Sequence, residues 1–406
     1  MNMDITEVDY AVIGVGTMGS MALWQLAEAA PGAKILGIEQ FGRVHTRGSY
    51  AGESRLFRVA LKEGGEFIPF AKKARELWLQ LAQKSRRDVF LPVGALSIGP
   101  KSFPTITATQ KTIEEFGLEH EYLSAEELRE RFPQFTVDDD DIGILDPQGG
   151  GIRPEVAVAS ATELALKLGA KLWTHTEVLA IEPKGEGAGV VIRTSRGTVV
   201  AKQSIVTAGS WAGDLLPEVA PLVKVRPLAL TWFMPRKVEA FAPDKLPIFL
   251  YDRPQADGTS FHIYGAPSLD GYTVKFSSDQ FHEGTVPHPS DVPATVDEKT
   301  LQLFSQRVAE VAPDFYPDVA RLSVHHDGFT ADGHAIIDTD SDTCVTVAVG
   351  MSGTGMKFAP YFGQLAARLA MTQDTSLRPE FFSLAAHAPH QDQCMHLTHA
   401  RHGLCV

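Results

Sequence analysis

A glycine-rich turn near the N-terminus constrains the fold of this chain most strongly. A short apolar run, YAVI, is followed by the spacing G-x-G-x-x-G at Gly14, Gly16 and Gly19. Apolar residues at helical spacing come next, and a second apolar segment, KILGIE, ends at Glu39. This order of strand, tight turn, helix, strand and acidic residue is typical of the βαβ unit that binds a dinucleotide.

Each residue of this unit has a physical role. Gly14 permits the sharp turn, Gly16 lets a pyrophosphate approach the backbone, and Gly19 lets the helix pack closely on the strand. Glu39 is expected to accept hydrogen bonds from ribose hydroxyls. Three neighbours of these residues are also predicted to contact the cofactor: Thr17, Met18 and Gln40. The motif alone does not choose between NAD and FAD.

Length, charge and cysteine content restrict the class of protein. With 406 residues the chain is long for one core, so two domains are expected. A formal charge of −13 argues against nucleic acid and anionic lipid as partners. The start, MNMDITEVD, lacks the apolar segment of a secretory signal, and no apolar run reaches the roughly 18 residues of a membrane span. Cys344, Cys394 and Cys405 form no paired framework, so we expect a cytoplasmic protein without disulfides.

The segment after Glu39 points to a flavoprotein. An NAD enzyme would be expected to have a third βαβ strand here, but the chain continues as HTRGSYAGESRLFRVA (residues 45–60) and then as a helical pattern, FIPFAKKARELWLQLAQ. The first stretch matches H-x-x-G-S-x-x-G-x-x-R-x-x-R-x-A. It resembles the flavoprotein amine oxidases of the monomeric sarcosine oxidase and N-methyltryptophan oxidase type.

The resemblance covers nearly the whole chain to about residue 383 and implies an α/β fold. We therefore expect a Rossmann-type FAD-binding domain, of the p-hydroxybenzoate-hydroxylase-like flavoprotein fold, with an inserted and largely antiparallel α+β substrate domain. The FAD-binding domain is predicted to be discontinuous and to comprise residues 1–90, 145–218 and 320–386. The substrate domain is predicted to comprise residues 91–144 and 219–319. Residues 387–406 are predicted to form a histidine-rich C-terminal tail.

The most specific motif is the glycine loop GMSGTGMKF at residues 350–358, which matches the family pattern G-x-S-G-x-G-x-K-F. The helix N-terminus that follows the loop would stabilise the negative charge of reduced flavin. The resemblance implies that Lys357, together with Arg58, holds the carboxylate of the substrate. Two unpaired cations would repel each other, so an anion is expected to complete the pocket.

Further cofactor and catalytic residues follow from the resemblance. Lys275 falls where the family has its oxygen-activating lysine, and a positive charge there would stabilise superoxide; Tyr264 lies just upstream and is the fourth catalytic candidate. The A-G-x-W turn after a buried strand is expected to lie beside the flavin. The remaining predicted cofactor contacts are Ser49, Arg55, Val178, Ala208, Gly209, Trp211, His325, Gly353, Thr354 and Gly355.

The stretch SVHHDGFTADGHAIID (residues 323–338) decides how the cofactor is attached. The family has a cysteine there that is joined to the flavin 8α carbon, and this chain has His325. We therefore predict non-covalent FAD. Two alternatives are a histidyl link through His325 and a metal held by the histidines and aspartates. No metal is predicted, because flavin packing accounts for the pattern.

Together these features predict FAD-dependent oxidation of a secondary amine in an N-substituted amino acid, N-methyl or cyclic. The product is an imine, hydrolysed afterwards, and O2 is reduced to H2O2. Relatives often carry two histidines where this chain has Tyr50 and Ala51, which argues against sarcosine itself as the substrate. The expected partners are an amino acid substrate and O2, with the chain a monomer or weak homo-oligomer. The alternatives are a dehydrogenase that uses another electron acceptor and a non-catalytic flavin-binding regulator.

Overall fold

Two large β-sheets organise the structure, a computed structural model that describes residues 5–255, 258–278 and 284–390. The strands are β1 (Ile5–Ile13), β2 (Ile35–Ile38), β3 (Arg55–Phe57), β4 (Phe90–Leu91), β5 (Ala95–Pro100), β6 (Glu121–Leu123), β7 (Asp141–Asp146), β8 (Gly150–Ile152), β9 (Lys171–Trp173), β10 (Val178–Pro183), β11 (Val190–Thr194), β12 (Gly197–Val206), β13 (Lys224–Pro235), β14 (Ile248–Pro254), β15 (Ser260–Ala266), β16 (Val274–Ser277), β17 (Phe315–Phe329), β18 (Ile336–Asp340) and β19 (Val345–Val349). The helices are α1 (Thr17–Ala29), α2 (Ile68–Ser85), α3 (Pro104–Phe116), α4 (Ala125–Arg131), α5 (Pro154–Lys167), α6 (Ala212–Leu215), α7 (Glu298–Val311), α8 (Gly355–Thr372) and α9 (Leu384–His387).

The first sheet has a parallel centre in the order β19-β12-β1-β2-β9. Strands β10 and β11 extend it antiparallel from β12, and β18 pairs antiparallel with β19. Helices α1 and α8 cover one face, with α2 and α5 packed on these helices, and Val12 and Ile205 join the large apolar core there. Their neighbours in sequence, Ile13 and Val206, point to the opposite face and a separate core. Both faces are covered, as is usual for a parallel sheet.

The predicted turn explains how the first sheet receives helix α1. Gly14 has φ +79°, a left-handed conformation that favours glycine. A Cβ on Gly19 would lie 1.8 Å from the carbonyl oxygen of Gly14, so α1 packs directly on the turn. Glu39 follows the end of β2. The helix predicted after the stretch HTRGSYAGESRLFRVA is present as Ile68–Ser85. The predicted order of strand, turn, helix, strand and acidic residue is confirmed.

The second sheet is largely antiparallel, as expected, in the order β17-β13-β16-β15-β14-β5-β7-β6. The exception is the parallel pair β14 and β5. Helix α7 packs on β17. Aromatic side chains such as Phe249, Phe276 and Phe315 fill the core that α7 shares with the second sheet. Strands β3, β8 and β4 form a small third sheet in that order.

Two strands run across predicted domain boundaries. Strand β7 spans the boundary at 144/145, and β17 spans the boundary at 319/320 and stays paired with β13 as far as Phe329. The predicted tail begins at residue 387, but His387 ends α9, is buried, and lies 2.7 Å through Nδ1 from the carbonyl oxygen of Ser383. His387 therefore belongs to the fold. Residues 391–406 of the predicted tail lie outside the described residues.

In the described segments of the chain, no helix combines the length and hydrophobicity of a membrane span.

Candidate active site

One cavity of about 1080 Å³ is lined by residues of both large sheets. A pocket for one small ligand typically measures roughly 300–1,000 Å³, so this cavity has room for a dinucleotide with a second ligand beside it. The structure brings nearly all of the predicted site residues to its wall. Two predicted residues do not line it: Gly19, which packs α1 on its turn, and Lys275.

The end of the cavity nearest β1 and β2 fits a dinucleotide. The space in front of Gly16 is open, since a Cβ there would meet only the ring of Tyr50, at 3.8 Å. Glu39 is buried, and its two carboxylate oxygens accept from the backbone N–H of Val15 (2.8 Å) and of Phe41 (2.9 Å). Each oxygen has a second lone pair, so the carboxylate can also accept from a ribose hydroxyl.

Two further backbone segments meet at the cavity. The turn Gly209–Trp211 follows β12 and lines it together with Ala208. Gly353 and Thr354 line it as well, and α8 begins at Gly355. The first N–H groups of a helix have no intrahelical partner, so this helix end is suited to a polar or anionic edge of a ligand.

Arg55 holds the loop that closes one side of the cavity. Its Nη2 donates to the carbonyl oxygens of Ser49 (2.9 Å) and Ala51 (2.7 Å), and its Nη1 donates to that of Ser54 (2.8 Å). Burial lowers the pKa of Arg55 from its usual value. A guanidinium remains charged after such a shift, so the loop carries a positive charge into the cavity wall.

Lys275 lies behind the same loop. It sits in β16, is 1% exposed, and donates from Nζ to the carbonyl oxygens of Ser54 (2.9 Å) and Gly52 (3.2 Å). The ammonium also lies 5.5 Å from the centre of the Trp232 ring. Burial first, and then Arg55, lower the pKa of Lys275 well below its usual value. Lys275 is therefore not a wall residue of the cavity and lies behind the loop whose carbonyl oxygens it binds.

His325 lies on β17 at the cavity wall and is 3% exposed. Its Nε2 is 2.6 Å from the hydroxyl oxygen of Ser323. Burial, followed by the charges of Arg55 and Lys275, lowers the pKa of His325 to about 3. The imidazole is therefore neutral at physiological pH.

Asp327 was not predicted as a site residue; it lies on β17, and its carboxylate contacts the glycine loop. Its carboxylate accepts from the backbone N–H of Gly353 (2.9 Å) and Gly328 (2.8 Å). Burial raises the pKa of Asp327 to about 6, although these hydrogen bonds and Arg55 oppose the rise. The backbone N–H of Gly353, which was predicted to contact the cofactor, thus donates to Asp327.

Glu63 corrects the prediction of two unpaired cations. Its Oε1 lies 2.6 Å from Nζ of Lys357 and 3.7 Å from Nη2 of Arg58. Although burial opposes ionisation, Lys357 and Arg58 hold the pKa of Glu63 far below its usual value. Burying two like charges without a counter-charge is costly, and the chain supplies that counter-charge itself. The three groups together keep a net charge of one positive unit.

A second polar pair, also missed from the sequence, lines the part of the cavity beneath α3. Nδ1 of His262 lies 2.6 Å from Oδ1 of Asp252, and the hydroxyl of Thr105 donates to the other carboxylate oxygen. All three side chains line the cavity. Alternating polar residues in SFHIY are the signal that could have identified this pair.

The histidines and aspartates of residues 325–338 take part in separate polar contacts. Nδ1 of His334 is 3.1 Å from Asp332, and His387 approaches the same carboxylate at 3.5 Å. Across residues 5–255, 258–278 and 284–390, no three His, Cys, Asp or Glu side chains are grouped as metal ligands.

Comparison with known proteins agrees with this geometry. A family model described as FAD dependent oxidoreductase matches residues 9–369. Monomeric sarcosine oxidase of Streptomyces avermitilis is 32% identical over 371 residues, which cover 91% of this chain and 94% of the relative. N-methyl-L-tryptophan oxidase of Yersinia pestis is 30% identical over 388 residues, covering 93% of this chain and 99% of the relative. The structure of NikD, an unusual amino acid oxidase essential for nikkomycin biosynthesis, superposes with a TM-score of 0.80 at 23% identity and covers 93% of this chain and 97% of NikD.

We predict that Asp327 makes the cofactor-free protein less stable as the pH rises. An unfolded Asp has a pKa of about 4, so the folded state, with a pKa of about 6, binds the proton more tightly. This contribution is complete below about pH 4 and is lost as the pH passes 6. The variant Asp327→Asn should lose less unfolding free energy than the wild type between pH 5 and pH 7.5, by about 1.4 kcal/mol. Urea unfolding at the two pH values measures this difference, with Asp88→Asn, at an exposed position, as the matched control. Identical pH dependence in the wild type and Asp327→Asn would contradict the assignment.

Proposed function

Because this chain belongs to the FAD-dependent oxidoreductase family, and within it to the group of monomeric sarcosine oxidase and N-methyl-L-tryptophan oxidase, we propose that it oxidises the secondary amine of an N-substituted amino acid. The product is an imine that water hydrolyses, and O2 accepts the electrons to give H2O2. The substrate is an amine that carries a carboxylate.

The open guanidinium of Arg58 is the observation that carries this proposal. Arg58 lines the cavity and is 5% exposed. Within the described part of the chain its guanidinium makes no hydrogen bond, and its one ion-pair contact is the 3.7 Å approach to Glu63. A guanidinium has five donors in a planar fork that matches a carboxylate. A buried cation with these donors facing a cavity is a site for an anionic group of the substrate.

Glu63 gives Lys357 and Arg58 different roles. The 2.6 Å contact keeps Lys357 paired with Glu63, whereas Arg58 is held only loosely. Arg58 is therefore the principal anchor of the substrate carboxylate. The Lys357–Glu63 pair fixes the position of the surrounding wall, and the net positive charge of the three groups is neutralised when the substrate binds.

The adenosine and pyrophosphate of FAD would be held by Glu39, Gly16 and the first turn of α1, and its ring system would lie near α8. Bound FAD supplies the two-electron oxidation of the amine and the transfer of electrons to O2. We propose that FAD is held without a covalent bond, since His325 stands where the family has the cysteine that carries the link. A cytoplasmic monomer or weak homo-oligomer remains our proposal for the working form.

We predict that Arg58→Ala raises KM for the amino acid substrate by roughly 10- to 100-fold, because a charge-assisted bidentate contact contributes about 1.5–3 kcal/mol. Steady-state kinetics with the acid and with its decarboxylated amine measure the effect, which should be confined to the acid. Arg87→Ala, which removes an exposed ion pair with Glu163, is the matched control. If the wild type oxidises the decarboxylated amine as efficiently as the acid, the carboxylate is not recognised and the substrate class is wrong.

Acid precipitation should release intact FAD from the purified yellow protein into the supernatant. The reason is that His325 replaces the cysteine that forms the covalent link in the family. The absorbance of the supernatant and of the washed pellet measures the outcome. Colour that stays with the pellet would indicate a covalent bond, and repeating the experiment with His325→Ala would identify its position.

We expect Lys275→Met to slow the reoxidation of the flavin by O2 on the order of 10²-fold, because a preorganised charge near the forming superoxide is lost. Stopped-flow absorbance separates this step from reduction by the amine, which should change much less. Lys245→Met, at an exposed lysine, is the matched control. Equal slowing of both half-reactions would assign Lys275 a structural role, and a wild type that O2 does not reoxidise would favour a dehydrogenase.

A further inference from the structure

The strand β15 presents a polar row to the cavity. Its alternate residues Ser260, His262 and Tyr264 line the cavity, whereas Phe261 and Ile263 point into the apolar core of the second sheet. Residues two apart on a strand share one face and lie roughly 7 Å apart. The row therefore leads from Tyr264, beside Arg55, toward a part of the cavity farther along the strand.

Asp252 fixes the orientation of His262. The two residues are direct cross-strand partners in β14 and β15, and Nδ1 lies 2.6 Å from Oδ1. The second oxygen of Asp252 accepts from the hydroxyl of Thr105. Although burial opposes ionisation, His262 and Thr105 hold the pKa of Asp252 below its usual value. An ionised carboxylate only accepts, so Nδ1 carries a proton, and Nε2 is left for a hydrogen bond to a ligand.

The surroundings of His262 restrict what Nε2 can bind. Lys62 also lines the cavity, and its charge acts on Asp252, so this carboxylate already has a cationic neighbour and needs no cationic group of the substrate. The rest of this region combines the hydroxyls of Ser260 and Thr105 with the apolar side chains of Leu250, Phe103 and Ala108. A neutral hydrogen-bonding group on a short carbon chain, such as a hydroxyl, matches this lining.

We propose that the substrate carries a hydroxyl beyond the reacting carbon–nitrogen bond and that this hydroxyl forms a hydrogen bond with Nε2 of His262. The inference rests on the proposed function and narrows its substrate class to hydroxylated N-substituted amino acids. His262 contacts the substrate, and Asp252 is a positioning residue that holds the ring through Nδ1. The alkyl part of such a substrate lies against Leu250, and its carboxylate is left for Arg58.

Pairs of amines that differ only by one hydroxyl test this proposal. The pairs are N-ethylglycine with N-(2-hydroxyethyl)glycine, and N-methylalanine with N-methylserine. We expect kcat/KM of the wild type to favour the hydroxylated member of at least one pair by ten- to a hundred-fold, since a site built around a polar group discriminates strongly against analogues that lack its partner. The pair that shows the preference locates the hydroxyl on the N-substituent or on the side chain.

Variants identify the residue responsible. His262→Leu should bring the ratio of the two kcat/KM values close to one, and His262→Gln, which keeps an acceptor, should retain part of it. Asp252→Asn should raise KM for the hydroxylated member more than it lowers kcat. His120→Leu, a histidine outside the cavity, should keep the wild-type ratio. Flavin absorbance and thermal unfolding verify that each variant is folded.

The outcomes separate this inference from the proposed function. Equal kcat/KM values for both members of every pair in the wild type, or an unchanged ratio in folded His262→Leu, would overturn the role of His262. The proposed function would stand in that case, because the amines would still bleach the flavin under anaerobic conditions. If none of the four amines, nor any other N-substituted amino acid, reduces the flavin, the proposed function itself fails.

Discussion

Buried charges hold the loop at residues 49–54, and the cavity is built around that loop. Arg55 donates to three of its carbonyl oxygens, Lys275 donates to two, and the carboxylate of Glu155 accepts from the N–H of Gly52 at 2.7 Å and of Glu53 at 3.2 Å. A loop inside a protein needs partners for its backbone polar groups, and charged partners make the stronger hydrogen bonds. The charges that order this loop therefore also place two cations, Arg55 and Lys275, beside the cavity.

The first sixty residues could be predicted from sequence because their structure is locally determined. The turn at Gly14 requires a left-handed φ, and the close approach at Gly19 excludes any side chain, so the glycine spacing itself specifies the geometry. The domain boundaries are not specified in this way. Strand β17 is 15 residues long and is paired with β13 from Phe315 to Phe329, so the predicted boundary falls inside one continuous strand.

Glu63 and Asp252 were not predicted as site residues because the sequence does not show which side chains they contact. Glu63 lies in KEGGE, which is typical of a solvated loop, and its pairing with Lys357 joins positions 294 residues apart. Asp252 and His262 lie on neighbouring strands whose register is visible only once the sheet is formed. Local periodicity shows which face of a strand is polar, but not which partner each of its side chains meets. The sequence could therefore identify which residues carry charge, but not which of them remain open to a substrate.

His325 reports on the electrostatic environment that a substrate amine would meet. Its imidazole has a pKa of about 3 because burial and the neighbouring Arg55 and Lys275 disfavour a further positive charge. An ammonium that entered the same part of the cavity would meet the same desolvation and the same two cations, so its pKa would also be lowered. The unprotonated amine is the form whose lone pair can assist oxidation of the adjacent carbon. The site therefore needs no strong base, because the charges that hold the loop already favour the reactive form of the substrate.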